Sequence, residues 1–152
     1  MTCSTEFQRF SIQIRIFVNS NMHTTYSLLC REVLEEYTSR MQIFTELVSK
    51  AMAKSLNLEA DCFLNQFGKQ ATLKARFNYY SPCQRPDLVL GLRAHADGSG
   101  YTIILQDDVE GLQVFKDERW FTVPAISDAL LVLMGDQMEV WLMVIFYVIL
   151  TG

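Results

Sequence analysis

Histidine is scarce in this chain: among 152 residues only His23 and His95 occur, far apart, which limits any metal site built on imidazole. The four cysteines, Cys3, Cys30, Cys62 and Cys83, form no C-x-x-C pair. Without a secretory context their even number does not establish a disulfide framework, so reduced thiols are expected, with Cys83 packed rather than nucleophilic. Residues 1–30 lack a basic head followed by a long apolar core, so no signal peptide is expected and the cytoplasm is the expected location. There is no basic stripe, and a net charge of -4 gives nucleic acid no electrostatic foothold. The longest apolar run, Val140 to Leu150, falls short of the about 20 residues that a membrane span needs, and Glu139 and Asp136 block its extension backwards. No span is expected, and that run reads as a buried or aggregation-prone strand. Internal repeats, low-complexity tracts and linkers are also absent.

What is present is the ordinary make-up of one globular domain, half apolar and a fifth charged. Phe10 to Val18 alternates, with Ile12, Ile14 and Ile16 against Ser11, Gln13 and Arg15, which is a strand pattern. His23 follows in a polar loop and reads as solvated. From Leu28 to Leu56 the period lengthens. Leu29, Val33, Tyr37, Met41, Phe44, Val48, Met52 and Leu56 mark one dry helical face, with Ser27 as N-cap and Asn57 closing the helix. Met41 and Met52 are core fillers on that face. Glu59 to Phe67 reads as a second, short helix before Gly68. Strands then dominate: Leu73 to Tyr80, a resumed apolar run from Asp87 to Leu92, Tyr101 to Gln106, a hairpin of Leu112 to Phe115 and Trp120 to Val123, and Ala129 to Met134. Pro82 and Pro86 interrupt, since neither can donate to a ladder. Short strands at this spacing without intervening helices indicate a sandwich or jelly roll.

The chemistry concentrates at His95-x-Asp97, in a turn-rich stretch ahead of a strand. By itself this pair is more often a loop histidine beside a turn aspartate than a metal site. At the mouth of a jelly roll, however, an imidazole and a carboxylate suit ferrous iron, which a facial set of two histidines and one carboxylate binds with three positions left open.

The surrounding residues carry a resemblance. Arg76-Phe-Asn-Tyr-Tyr-Ser-Pro-Cys, Arg85-Pro-Asp-Leu-Val-Leu-Gly-Leu and His95-Ala-Asp-Gly-Ser are similar to segments of the plant 2-oxoglutarate- and Fe(II)-dependent dioxygenases. So are Thr102-Ile-Ile-Leu-Gln-Asp, Val109-Glu-Gly-Leu-Gln-Val, Trp120-Phe-Thr-Val-Pro and Gly135-Asp-Gln-Met-Glu, in the same order. The nearest branch is that of flavonoid and anthocyanidin oxidases and alkaloid O-demethylases, and the resemblance runs from about Arg31 to Val140. It implies an α+β fold, with N-terminal helices packed on an incomplete double-stranded β-helix (jelly roll, cupin-like). It implies His95 and Asp97 as iron ligands, and Asn78 and Tyr80 as holding 2-oxoglutarate. Without the resemblance these two are a sheet asparagine and a packed tyrosine. Arg76 matches a substrate-facing position, although a surface salt bridge fits it equally. The implied cofactors are Fe(II) and the co-substrate 2-oxoglutarate. The implied reaction couples decarboxylation of 2-oxoglutarate to hydroxylation, desaturation or O-demethylation of a small specialised metabolite.

The chain also departs from that pattern. After Gly135-Asp-Gln-Met-Glu the family continues with an Asn-Gly turn, the second iron histidine and an Arg-x-Ser anchor. Here no histidine follows His95 and no arginine follows Arg119. Ser81 stands where proline is common, and Ala94 and Ala96 flank the histidine. The expected organisation is a poorly matched segment, 1–27, a partial dioxygenase domain, 28–140, and an aberrant apolar tail, 141–152, from a retained intron or shifted reading frame. Little or no activity is expected of such a chain. The readings from other classes are a non-catalytic fragment that associates with full-length homologues, and a bare cupin-like binding module.

Overall fold

The computed structural model describes residues 9–18, 28–68, 71–85 and 87–151, and side chains within 32–68, 71–85 and 87–145. His23, Ser27 and Cys3, and the side chains of the first alternating strand and of Cys30, lie outside what is described. The chain forms two compact units, one of residues 1–15 and 74–152 and the other of residues 16–73.

In the second unit the long helix α1 spans Leu28–Ser55 and the short α2 spans Cys62–Phe67. Met41, Thr45, Ser49 and Ala53 recur every fourth residue of α1 and are buried, as are Phe63 and Phe67 of α2. Of the expected stripe only Met41 is buried; Tyr37, Phe44, Val48, Met52 and Leu56 are half-buried and Val33 is exposed at 68%, so the buried line runs one residue on, through Thr45, Ser49 and Ala53. Small and hydroxylated residues line the seam, and the Thr45 hydroxyl donates to the Met41 carbonyl at 2.8 Å. The helix ends as Asn57 was expected to end it. Asn57 takes a φ of 56°, its N–H reaches the Lys54 carbonyl at 3.1 Å, and the Leu58 N–H reaches the Ala53 carbonyl at 2.9 Å. That pair of bonds is a Schellman cap with asparagine in the left-handed position. Gly68, at φ 64°, follows α2 as anticipated.

The first unit carries most of β1 (Arg9–Val18) and of β2 (Ala71–Tyr80), and β3 (Tyr101–Gln106), β4 (Gln113–Lys116), β5 (Arg119–Thr122), β6 (Leu130–Met134) and α3 (Asp136–Thr151). Strands run in the order β2-β1-β3-β6, with β1/β3 and β3/β6 antiparallel, while β4 and β5 form a separate hairpin. Strand β3 is flanked on both sides, so Tyr101, Thr102, Ile103 and Ile104 are all buried. The class is therefore α+β, with a helical N-terminal part and small antiparallel sheets.

Two expectations fail. Asp87 to Leu92 is no strand beyond an isolated bridge at Leu90. Arg85 turns the chain there, with its guanidinium on both Asp87 carboxylate oxygens at 2.8 and 3.0 Å and the Leu88 N–H on its carbonyl. That fork holds the Asp87 carboxyl below its usual range and leaves Leu88 and Leu90 exposed. The apolar run after Val140 is helical, not extended, and is the body of α3. Apolar content alone cannot separate a buried strand from a helix, and length decides it: 16 residues without glycine or proline suit a helix, and Asp136 and Glu139 in its first turn suit the dipole.

Candidate metal centre

His95 and Asp97 lie in the loop ahead of β3, and the structure brings them together: His95 Nε2 stands 3.2 Å from Asp97 Oδ1. His95 Nδ1 lies 2.8 Å from the Arg93 carbonyl oxygen. A carbonyl can only accept, so Nδ1 carries a hydrogen, and Nε2 is the nitrogen turned toward Asp97. The histidine is 41% exposed and the carboxylate 13%.

Asp97 is fixed from the other side. The Thr102 hydroxyl donates to Asp97 Oδ2 at 2.6 Å, and Ser99 Oγ lies 3.2 Å from Thr102 Oγ1. The backbone is held as well, because the Asp136 N–H donates to the Asp97 carbonyl at 2.7 Å and the Gly135 N–H to the Gly100 carbonyl at 3.0 Å. The junction between β6 and α3 is thus sewn to the loop that carries His95 and Asp97.

A cavity of about 940 Å³ opens in front of the pair. His95 and Asp97 share its lining with Ile104 and Leu133 behind and with Phe115 and Trp120 from the hairpin. Thr102 and Ile104 point to one face of β3, and Thr102 faces Leu133 across the β3/β6 register. The Phe115 and Trp120 rings, directly opposite in the β4/β5 register, sit 4.9 Å apart and tilted by 50°.

The donor set fits a divalent cation. Two adjacent ligands on one six-coordinate ion, each about 2.1 Å from it, lie ~3 Å apart, and the His95–Asp97 separation is 3.2 Å. A histidine whose far nitrogen donates to a carbonyl is the usual arrangement of a metal-bound imidazole. No third donor joins them: among the described residues no cluster of three or more His, Cys, Asp or Glu side chains is placed to hold a metal.

Arg76, Asn78 and Tyr80 alternate along one face of β2, two strands away from β3, and are not among the residues lining the cavity. Asn78 is half-buried, and its Nδ2 has no hydrogen-bond partner among the described residues. Tyr80 is half-buried and Arg76 is exposed. Cys62 and Cys83 are free thiols, each partly buried. The residues that pattern reading missed are Ser99, Thr102 and Gly135. One signal was available, since Thr102 is the only polar residue in the apolar run Tyr101 to Leu105.

Residues 72–147 match the 2OG-Fe(II) oxygenase superfamily. Over 110 residues the chain is 44% identical to Protein DMR6-LIKE OXYGENASE 1 of Arabidopsis thaliana, covering 72% of this chain and 31% of that protein. It is 43% identical over 111 residues to codeine O-demethylase of Papaver somniferum, with 72% and 31% covered. With flavonol synthase/flavanone 3-hydroxylase of Petunia hybrida it shares 42% over 111 residues, with 72% and 32% covered. The chain belongs to the 2OG-Fe(II) oxygenase superfamily, and it spans about a third of the length of the curated relatives it matches. Among the described residues no helix is long and apolar enough to cross a membrane.

Proposed function

We propose that this chain is the ligand-bearing part of an Fe(II)- and 2-oxoglutarate-dependent dioxygenase acting on a small specialised metabolite. The observation that carries this is the 3.2 Å approach of His95 Nε2 to Asp97 Oδ1, with the tautomer set by the Arg93 carbonyl. When bound, ferrous iron with 2-oxoglutarate supplies the activation of O2 needed to hydroxylate, desaturate or O-demethylate a substrate carbon. His95 and Asp97 bind the ion through one nitrogen and one oxygen. Asn78 and Tyr80 are donors for 2-oxoglutarate, and the uncommitted Asn78 Nδ2 is the observation in favour of that role. Arg76 is the candidate contact to substrate. Phe115 and Trp120 give one wall of the cavity an apolar face for the substrate. The sheets belong to an incomplete double-stranded β-helix, with 28–140 as the partial oxygenase domain and 141–152 as an aberrant extension.

Turnover by these 152 residues alone is little or none. Two donors leave the ion weakly held, and no arginine after Arg119 anchors the far carboxylate of 2-oxoglutarate. The test is anaerobic Fe(II) titration followed by succinate formation under O2, against a His95→Ala control. The expected outcome is weak binding that the control loses, with succinate at the control's level. Succinate well above the control overturns the expectation of inactivity, and equal Fe(II) binding by both overturns the site.

A second reading is favoured by apolar side chains left in solvent, Leu88, Leu90, Val140 and Met143 among them. In it the chain is a non-catalytic fragment that associates with full-length homologues. Co-purification with such a homologue tests it, and failure to co-purify at micromolar concentrations rejects it.

A further inference from the structure

We infer that Ser99 and Thr102 are positioning residues for the metal, a buried hydroxyl relay that stops the Asp97 carboxylate from rotating and so presents Oδ1 to the ion at His95 Nε2. The inference rests on the reading of His95 and Asp97 as metal ligands.

The direction of the relay follows from hydrogen counting. An ionised carboxylate only accepts, so the single Thr102 hydroxyl hydrogen goes to Asp97 Oδ2 at 2.6 Å. Thr102 Oγ1 then has only lone pairs for Ser99, and the Ser99 hydroxyl is the donor across their 3.2 Å contact. Both hydroxyl residues are fully buried, at 0% exposure, so water does not compete for either bond. A short O–H···O⁻ bond of this kind is among the stronger hydrogen bonds.

The carboxylate needs such a restraint. Its terminal torsion is soft and broad, unlike the staggered torsions nearer the backbone. Rotation would exchange Oδ1 for Oδ2 and carry the ligand oxygen out of line with His95. Thr102 resists this because it is β-branched, stiff at its first torsion, and set in β3 between β1 and β6. The central strand thereby holds the ligand oxygen in place.

The experiment is anaerobic titration of the 152-residue chain with Co(II), a spectroscopic stand-in for Fe(II), reading affinity and the ligand-field bands. Wild type, His95→Ala, Thr102→Val, Thr102→Ser and Ser99→Ala are compared, each checked for fold by circular dichroism. Thr102→Val keeps the shape and loses the donor; it is expected to weaken Co(II) about 10-fold or more and to move the bands. Thr102→Ser restores the hydroxyl and is expected to restore affinity and spectrum. Ser99→Ala loosens only the outer link, giving a smaller loss of the same sign, and carries the test if Thr102→Val fails to fold. Unchanged affinity and bands in folded Thr102→Val, or in Ser99→Ala where only it folds, overturn the relay while leaving the metal site standing. Failure of the wild type to bind, or equal binding by His95→Ala, overturns the site and the relay with it.

Discussion

Gly135 has no side chain, and the backbone around it shows why none fits. A Cβ at that position would collide with the backbone oxygens of Ser99 and Asp97, both in the loop ahead of β3. The neighbours are peptide groups and cannot swing aside, so Gly135→Ala must push the loop away from β6. We expect a loss of about 1–3 kcal/mol in chemical denaturation, as for other overpacked sites. Unchanged stability would show that the loop yields freely. His95 and Asp97 could be singled out in the sequence through the motifs around them, and the structure brings the two side chains to 3.2 Å. The roles of Ser99, Thr102 and Gly135 were not legible, because each depends on a bond or a close approach that exists only after β3 and β6 have paired. Arg76, Asn78 and Tyr80 were legible only through resemblance.

At the scale of elements, the hairpin of β4 and β5 turns through Asp117 and Glu118, with φ of 49° and 60°. Two successive left-handed residues make a type I′ turn, which favours Asn-Gly and is uncomfortable for glutamate. The double variant Asp117→Asn, Glu118→Gly is expected to stabilise the chain by about 0.5–1 kcal/mol, raising the thermal midpoint by ~2–4 °C. A fall would mean that the native side chains make up for the backbone strain. Most elements were readable because their periodicities are clean: the β3 bounds Tyr101–Gln106 and the helix stop at Asn57 coincide with the pattern. The failures share one cause. Leu88 to Leu92 and the run after Val140 carry no polar side chain to set an alternation, and a local turn at Arg85 or uninterrupted helix-compatible length decides the outcome.

For the molecule as a whole, the helical unit depends on few large side chains. Thr45, Ser49 and Ala53 are small, and Phe63 of α2 is the largest fully buried side chain of this unit. Phe63→Ala is expected to cost about 3–5 kcal/mol, visible as lost amide protection in the second half of α1. Retained protection there would place the stability of α1 in contacts other than this seam. The α+β class was legible from the order of periodicities. The sheet order β2-β1-β3-β6 was not, because β1 enters between two strands that lie far downstream in sequence.

The bond from the Asp136 N–H to the Asp97 carbonyl has a consequence for synthesis. A nascent chain that has emerged only as far as β3 already contains His95 and Asp97, yet it lacks the peptide that pins their loop. The loop can adopt the shape seen here only after the start of α3 has left the ribosome, so the cavity in front of His95 and Asp97 takes form later than β3 itself.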